Sequence, residues 1–168
     1  MILHIDIETY SSVDLPKSGV YKYVESIDFE ILLLAYSVDQ KPINVVDLAS
    51  GENLPIEFIK LYQNNDVQKF AHNANFQRVC LGAAYPNMIV PPENWTCTAV
   101  LSGYAGLPMR LAQVSAALKL GRDAKDSKGK ALINYFCKPC KPTKTNGHRS
   151  RNLPILSLIH ISEPTRPY

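Results

Sequence analysis

Near the start of the chain stands Leu3-His4-Ile5-Asp6-Ile7-Glu8-Thr9. Leu3, Ile5 and Ile7 alternate with His4, Asp6 and Glu8, the period-two pattern of a half-buried strand. Side chains two apart on a strand share a face, with Cα atoms roughly 6.5–7 Å apart. Asp6 and Glu8 therefore project side by side from a rigid element. Two carboxylates that close repel each other, and an opposing cation relieves the repulsion. A hard divalent metal, which prefers oxygen ligands, is one such cation. The other reading is a strand whose polar face simply sits in water, which the same alternation produces.

The rest of the chain bounds that choice. At 168 residues it is one domain or slightly more, with 46% apolar and 20% charged residues, as in soluble globular proteins. No apolar run approaches the length that spans a bilayer, and nothing at the N-terminus marks a secretory signal. Cys80, Cys97, Cys137 and Cys140 are then expected as reduced thiols in a cytosol. The net charge of +3 hides an asymmetry. Residues 119–151 hold ten of the 18 Lys and Arg side chains against two acids, Asp123 and Asp126, a balance of +8 that leaves −5 elsewhere. Such a block points to a polyanion, most often nucleic acid, or else to a solvated flexible arm.

Residues 9–27 read as a long connection, in which Tyr21 and Tyr23 around Lys22 either stack on bases or pack beneath the loop. Residues 29–38 and 43–48 form a hairpin of two apolar strands, without the Asn-Gly or Asp-Gly turn that marks the tightest type. Asn53 caps a helix with Pro55 in its first turn and Ile56, Ile59 and Leu61 or Tyr62 on its buried face. A short strand at 67–71 leads to a helix at 75–84 with Phe76, Val79, Cys80 and Ala83 at helical spacing. Residues 86–92 are a loop or short strand. A helix at 98–104 is stopped by Gly106 and Pro108, and another carries Leu111, Val114 and Leu118 as far as Gly121. A weaker helix covers 131–136, and beyond Cys137 the chain is an aperiodic arm. This order makes an α/β fold, a mixed sheet with helices packed on it.

Two pieces coincide in this order: Asp6-Ile7-Glu8-Thr9 at a strand end, and Ala71-His72-Asn73-Ala74-Asn75-Phe76-Gln77-Arg78 at a strand-to-helix junction. Together they resemble the proofreading 3′–5′ exonuclease domain of a phage-type family-A DNA polymerase. That domain is a member of the DEDD exonucleases, which share the ribonuclease-H-like fold. Cys97-Thr98-Ala99-Val100-Leu101 with Gly106-Leu107-Pro108, and residues 129–139, are similar to later segments of the same enzymes. The likeness runs from residue 2 to about 154. It implies a ribonuclease-H-like mixed sheet flanked by helices and two-metal phosphodiester hydrolysis with Mg²⁺ or Mn²⁺. In that scheme one ion activates water and the other stabilises the leaving oxygen. Asp6 would bridge both ions, Glu8 would hold the water-activating one, and Thr9 would lend its backbone near the terminal nucleotide. Asn73 and Phe76 would line the channel for the 3′ end of single-stranded DNA. The polymerase domain would follow in the same intact polypeptide, in the host cell cytosol.

The sequence departs from that pattern twice. Where the family has a carboxylate after the aromatic of the second motif, this chain has Gln77, a neutral amide that can ligate a hard cation only through its oxygen. The later Tyr or His followed by Asp is absent: after Lys130 the only acid is Glu163. Residues 156–168 read as a translated sequencing-adapter tail, with the native gene cut near Pro154. The fold would then be incomplete at its C-terminal end. The expected division is an exonuclease domain at 1–136, a basic extended arm at 137–155 and a non-native tail at 156–168. Cys137-Lys138-Pro139-Cys140 has the spacing of half a zinc site, but no second CxxC exists and an incidental pair is expected. His72 is expected to be structural. No Gly-rich phosphate loop is present. Two rival functions remain, a nucleic-acid-binding module with lost catalysis and a ribonuclease-H-type endonuclease.

Overall fold

The computed structural model describes residues 1–39, 41–120 and 127–152. Strand β1 (Ile2–Tyr10) lies at the centre of a five-stranded sheet of order β3-β2-β1-β4-β5. Its neighbour β2 (Glu30–Val38) runs antiparallel and continues through a hairpin into β3 (Asn44–Asp47). On the other side β4 (Gln68–Ala71) and β5 (Trp95–Cys97) run parallel to β1. The mixed α/β sheet with helices packed on it matches the sequence reading, and β5 is an addition to it. Three residues between a proline-rich pair of 3₁₀ turns and the helix that begins at Thr98 leave too little alternation for a strand to be read there.

Leu3, Ile5 and Ile7 enter the main core with Ile31, Leu34 and Tyr36 of β2, whereas His4 and Asp6 are exposed. That core is closed by Phe58 and Tyr62 of α2 (Ile56–Gln63) and by Cys80 and Leu81 of α3 (Ala74–Ala84). The opposite face carries a smaller cluster. Tyr10, Leu32 and Leu33 meet Phe136 and Cys137 at the end of α6 (Ser127–Phe136). Between β5 and α6 lie α4 (Thr98–Tyr104) and α5 (Leu111–Ala117).

Several local expectations are corrected. The connection after β1 contains a helix, α1 (Leu15–Val24), started by the Asp14 carboxylate accepting from the Lys17 N–H and by Pro16 in its first turn. Gly19, at φ 76°, breaks it midway, and this interruption weakens the helical period in the sequence. Helix α2 begins at Ile56 after Pro55, with no side-chain cap, so Asn53 does not cap it. Its buried face is Phe58 and Tyr62, and Ile56 is exposed. In α5 only Val114 of the expected apolar stripe is buried, and Leu111 and Leu118 stay about half exposed. Residues 137–152 are folded back rather than extended. Cys140 N–H donates to the Ser150 carbonyl (2.7 Å), His148 N–H to the Thr143 carbonyl (2.8 Å), and Asn152 Nδ2 to the Tyr135 carbonyl at the end of α6 (2.9 Å). The expected adapter tail lies outside the described residues. No described helix is long and apolar enough to cross a membrane.

Candidate active site

Pairing between β1 and β4 ends at His4 opposite Phe70, so Asp6 stands beyond the paired stretch, where the chain leaves β4 for α3. Asn73 makes that turn. It adopts a left-handed conformation (φ 63°, ψ 52°), which asparagine tolerates better than most residues, and its carbonyl accepts from the Phe76 N–H at 2.9 Å. Its side chain is exposed and makes no cap bond. The turn points the first helical residues back toward β1. Gln77, 71 residues away in sequence, donates from Nε2 to Asp6 Oδ1 at 3.2 Å.

Gln77 is 4% exposed, and its Oε1 is buried without a hydrogen-bond partner. A buried carbonyl oxygen left in that state costs about 1–3 kcal/mol, and it is the kind of atom that a cation satisfies. Helical spacing puts Phe76, Val79, Cys80 and Ala83 on the buried face of α3; of these Cys80 is fully buried, and Gln77 joins it. Burial follows the turn at Asn73, which rotates Ala74, Gln77, Cys80 and Leu81 inward.

Glu8 lies one strand position pair further on and is partly buried. The Cys137 thiol donates to its Oε2 at 3.8 Å across 129 residues of sequence. Burial, then the adjacent Glu8 charge, pushes the Cys137 thiol up to about 12, so it stays protonated and able to donate at neutral pH. A bulge between Glu8 and Thr9 shifts the register against β2. Past it, Thr9 is buried with its hydroxyl 2.9 Å from the Tyr23 hydroxyl. The Phe76 ring centroid sits 6.2 Å from that of Tyr23. Of the two candidate stacking tyrosines, Tyr23 therefore packs in the protein, and Tyr21 is exposed.

Glu8, Thr9, Phe76 and Tyr23 line a cleft of about 420 Å³, whose far walls are the start of α1 and the segment Cys137, Lys138 and Pro139. Asp6, Gln77 and Asn73 lie outside its lining. The arrangement is thus two carboxylates and an amide at the end of the central strand, opening beside a largely apolar trough. His72 Nδ1 lies 3.1 Å from the Thr98 hydroxyl, joining β4 to α4, as befits a structural histidine. Among the described residues no three His, Cys, Asp or Glu side chains gather as a metal site, and all four cysteines are free thiols. The contact of Cys137 with Glu8 had no signal in the sequence, because residues 137–140 follow no period.

No protein-family model matches the chain. It is 54% identical over 152 residues to a DNA polymerase of Bacillus phage SP02, an alignment covering 90% of this chain and 23% of the polymerase. The chain therefore spans about a quarter of the length of that curated relative. Among solved structures it is similar to Brucella melitensis NrnC with bound Mg²⁺, at TM-score 0.54 and 17% identity over 75% of this chain and 56% of that one. It is also similar to NrnC bound to pGG, at TM-score 0.51 and 18% identity over 70% and 52% of the two chains. The chain is a relative of a phage DNA polymerase, and its mixed sheet flanked by helices is of the ribonuclease-H-like kind.

Proposed function

We propose that this chain is the metal-dependent 3′–5′ exonuclease module of a phage-type family-A DNA polymerase, hydrolysing terminal phosphodiesters of single-stranded DNA as a proofreading step. One observation carries the reading: Asp6 and Gln77, 71 residues apart, meet at 3.2 Å beside a cleft that Glu8, Thr9 and Phe76 line. The polymerase domain would belong to the same intact polypeptide, acting in the cytosol of the host cell.

Two divalent ions, Mg²⁺ or Mn²⁺, would be the cofactors. Asp6 and Glu8 supply the oxygen ligands that such cations prefer, and the partnerless Gln77 Oε1 is a third oxygen within the site. When bound, the ions would activate water and neutralise charge on the scissile phosphate. The protein's own part is positional. Asp6 and Glu8 hold fixed places because Ile5 and Ile7 anchor the strand from the opposite face. Thr9 would present its backbone to the terminal nucleotide, its side chain tied to Tyr23. Phe76 would wall the trough, and the exposed amide of Asn73 would hydrogen-bond the strand. A volume of about 420 Å³ is of the size that takes a small organic group.

The Gln77 contact also supports a second reading, a strand-binding module without catalysis. As oriented, the amide gives Asp6 an N–H where a second carboxylate would call for a cation. The test is degradation of a 5′-labelled single strand by the intact polypeptide with Mg²⁺ or Mn²⁺. Stepwise shortening abolished by Asp6→Ala supports the exonuclease. Binding without cleavage supports the second reading, and internal nicks in an RNA–DNA hybrid would point to a ribonuclease-H-type endonuclease. The 168-residue chain alone is expected to show little or no turnover, and robust turnover by it would contradict the view of Gln77 as a weakened ligand.

A further inference from the structure

The segment 137–152 contains no acidic residue, and four of its cations, Lys138, Lys141, Lys144 and Arg149, are exposed. Among the described residues none of the four takes part in an ion pair; the one segment cation that does is Arg151, 2.7 Å from Glu30 Oε2 and 4.0 Å above the Tyr10 ring. Like charges this dense in sequence favour a splayed, mobile chain. This one is instead built as a turn. Asn146 Oδ1 accepts from the Thr143 and Arg149 N–H groups (2.9 and 3.2 Å), and its Nδ2 donates to the Lys141 carbonyl (2.9 Å). Gly147 and His148 take left-handed conformations at φ 67° and 57°. Both ends are tied down near one place, Cys137 to Glu8 and Arg151 to Glu30 and Tyr10. Lys138 and Pro139 are themselves part of the cleft wall.

We propose that residues 138–149 form a preorganised cationic rim that binds the phosphates of a single nucleic-acid strand whose end enters the cleft beside Glu8 and Thr9. The inference rests on the exonuclease reading for what occupies the cleft, and adds the surface that holds the rest of the strand. Ordering the turn removes conformational freedom in advance, so less is lost when phosphates bind. The contacts are electrostatic and independent of sequence, as a proofreading substrate requires. An anionic membrane surface is the lesser candidate, because residues 138–149 offer no large apolar side chain to insert.

The experiment titrates the 168-residue chain into a fluorescent oligothymidine over a series of salt concentrations. Each phosphate contact to a single strand contributes about −0.7 to the slope of log K against log salt, so Lys141→Ala/Lys144→Ala/Arg149→Ala should shallow it by roughly 2 and weaken binding about tenfold or more at low salt. Lys41→Ala/Lys60→Ala, lost from exposed positions elsewhere, should leave slope and affinity near the parent values. Melting temperature checks that each variant folds. An unchanged slope in the triple variant, or an equal change in the control, overturns the rim and leaves the exonuclease reading standing. No strand binding by the parent chain overturns both. A triple variant that loses affinity only for phosphatidylserine vesicles, with the oligonucleotide unaffected, also overturns the rim.

Discussion

On one face of the sheet, Leu3, Ile5 and Ile7 of β1 sink into a cluster of fifteen buried side chains closed by α2 and α3. On the other, five buried residues around Tyr10, Leu33 and Phe136 make the cover, with α6 and the loop after it as the lid. Asp6 and Glu8 emerge on this thinly covered side. The inequality has a use. The thick face fixes the backbone from which the carboxylates project, and the thin face leaves them lightly covered. The first prediction tests that difference directly. Phe58→Ala, at 0% exposure between Tyr36 and Tyr62, should cost about 3–5 kcal/mol, in the range for a large core truncation. Phe136→Ala should cost about half as much or less, since its cluster can collapse toward solvent. Urea denaturation of both variants gives the comparison, and equal losses would break it.

Gln77 is where the two faces meet, because α3 packs on the thick one and its amide reaches Asp6 beside the thin one. Gln77→Glu places a buried carboxylate against the exposed one of Asp6. Without divalent ions the pair repels and the chain should lose about 1–3 kcal/mol. With Mn²⁺ present the loss should be recovered, and calorimetry should show affinity tighter by about tenfold or more. If the variant is equally stable with and without Mn²⁺, Gln77 does not stand in a ligand position.

How much of this was legible follows from the same geometry. The β1 alternation, the hairpin, β4 and α4 were readable because each rests on a local period. Asp6, Glu8 and Gln77 were readable as candidates from two motifs, and their coming together depends on the left-handed turn at Asn73, which no period marks. Helix α1 was hidden by Gly19, and the true buried face of α2 by the tertiary choice of Phe58 over Ile56. The contact of Cys137 with Glu8 had no local signature, since a loop's fold is written in single side chains such as Asn146 and Arg151.

Arg151 gives the next, smaller effect. It joins the loop to β2 and β1 through Glu30 and the Tyr10 ring. Arg151→Ala should cost about 1 kcal/mol, the sum of a partly exposed ion pair and a cation–π contact. Arg151→Lys should recover part of that, keeping the charge but not the planar stacking. If the loss exceeds that of Phe58→Ala, the thin face is the more important of the two, contrary to the comparison.

The last effect belongs to the thick face, and its pH dependence appears in alkali. Cys80 is fully buried in the main cluster, and burial pushes its thiol up to about 12 from an ordinary value near 9. Between those two values the unfolded chain gives up the Cys80 proton and the folded chain keeps it. The unfolded state therefore binds fewer protons, and stability falls as pH rises, by up to about 1.4 kcal/mol per pH unit for this one group. Below about pH 9 the group contributes no slope. Tyr23 and Tyr62, also raised by burial, add their own loss only once unfolded tyrosine begins to ionise near 10. Cys80→Ala removes the Cys80 proton from this balance at the cost of a small cavity, which lowers the whole profile by roughly 1 kcal/mol. The profile's shape separates the two consequences. Urea midpoints measured between pH 7 and 10 should show the variant offset from the parent at neutral pH and converging on it above pH 9. Parallel profiles would mean that the Cys80 thiol ionises as readily in the folded chain as in the unfolded one, and that water reaches the centre of the face described as closed.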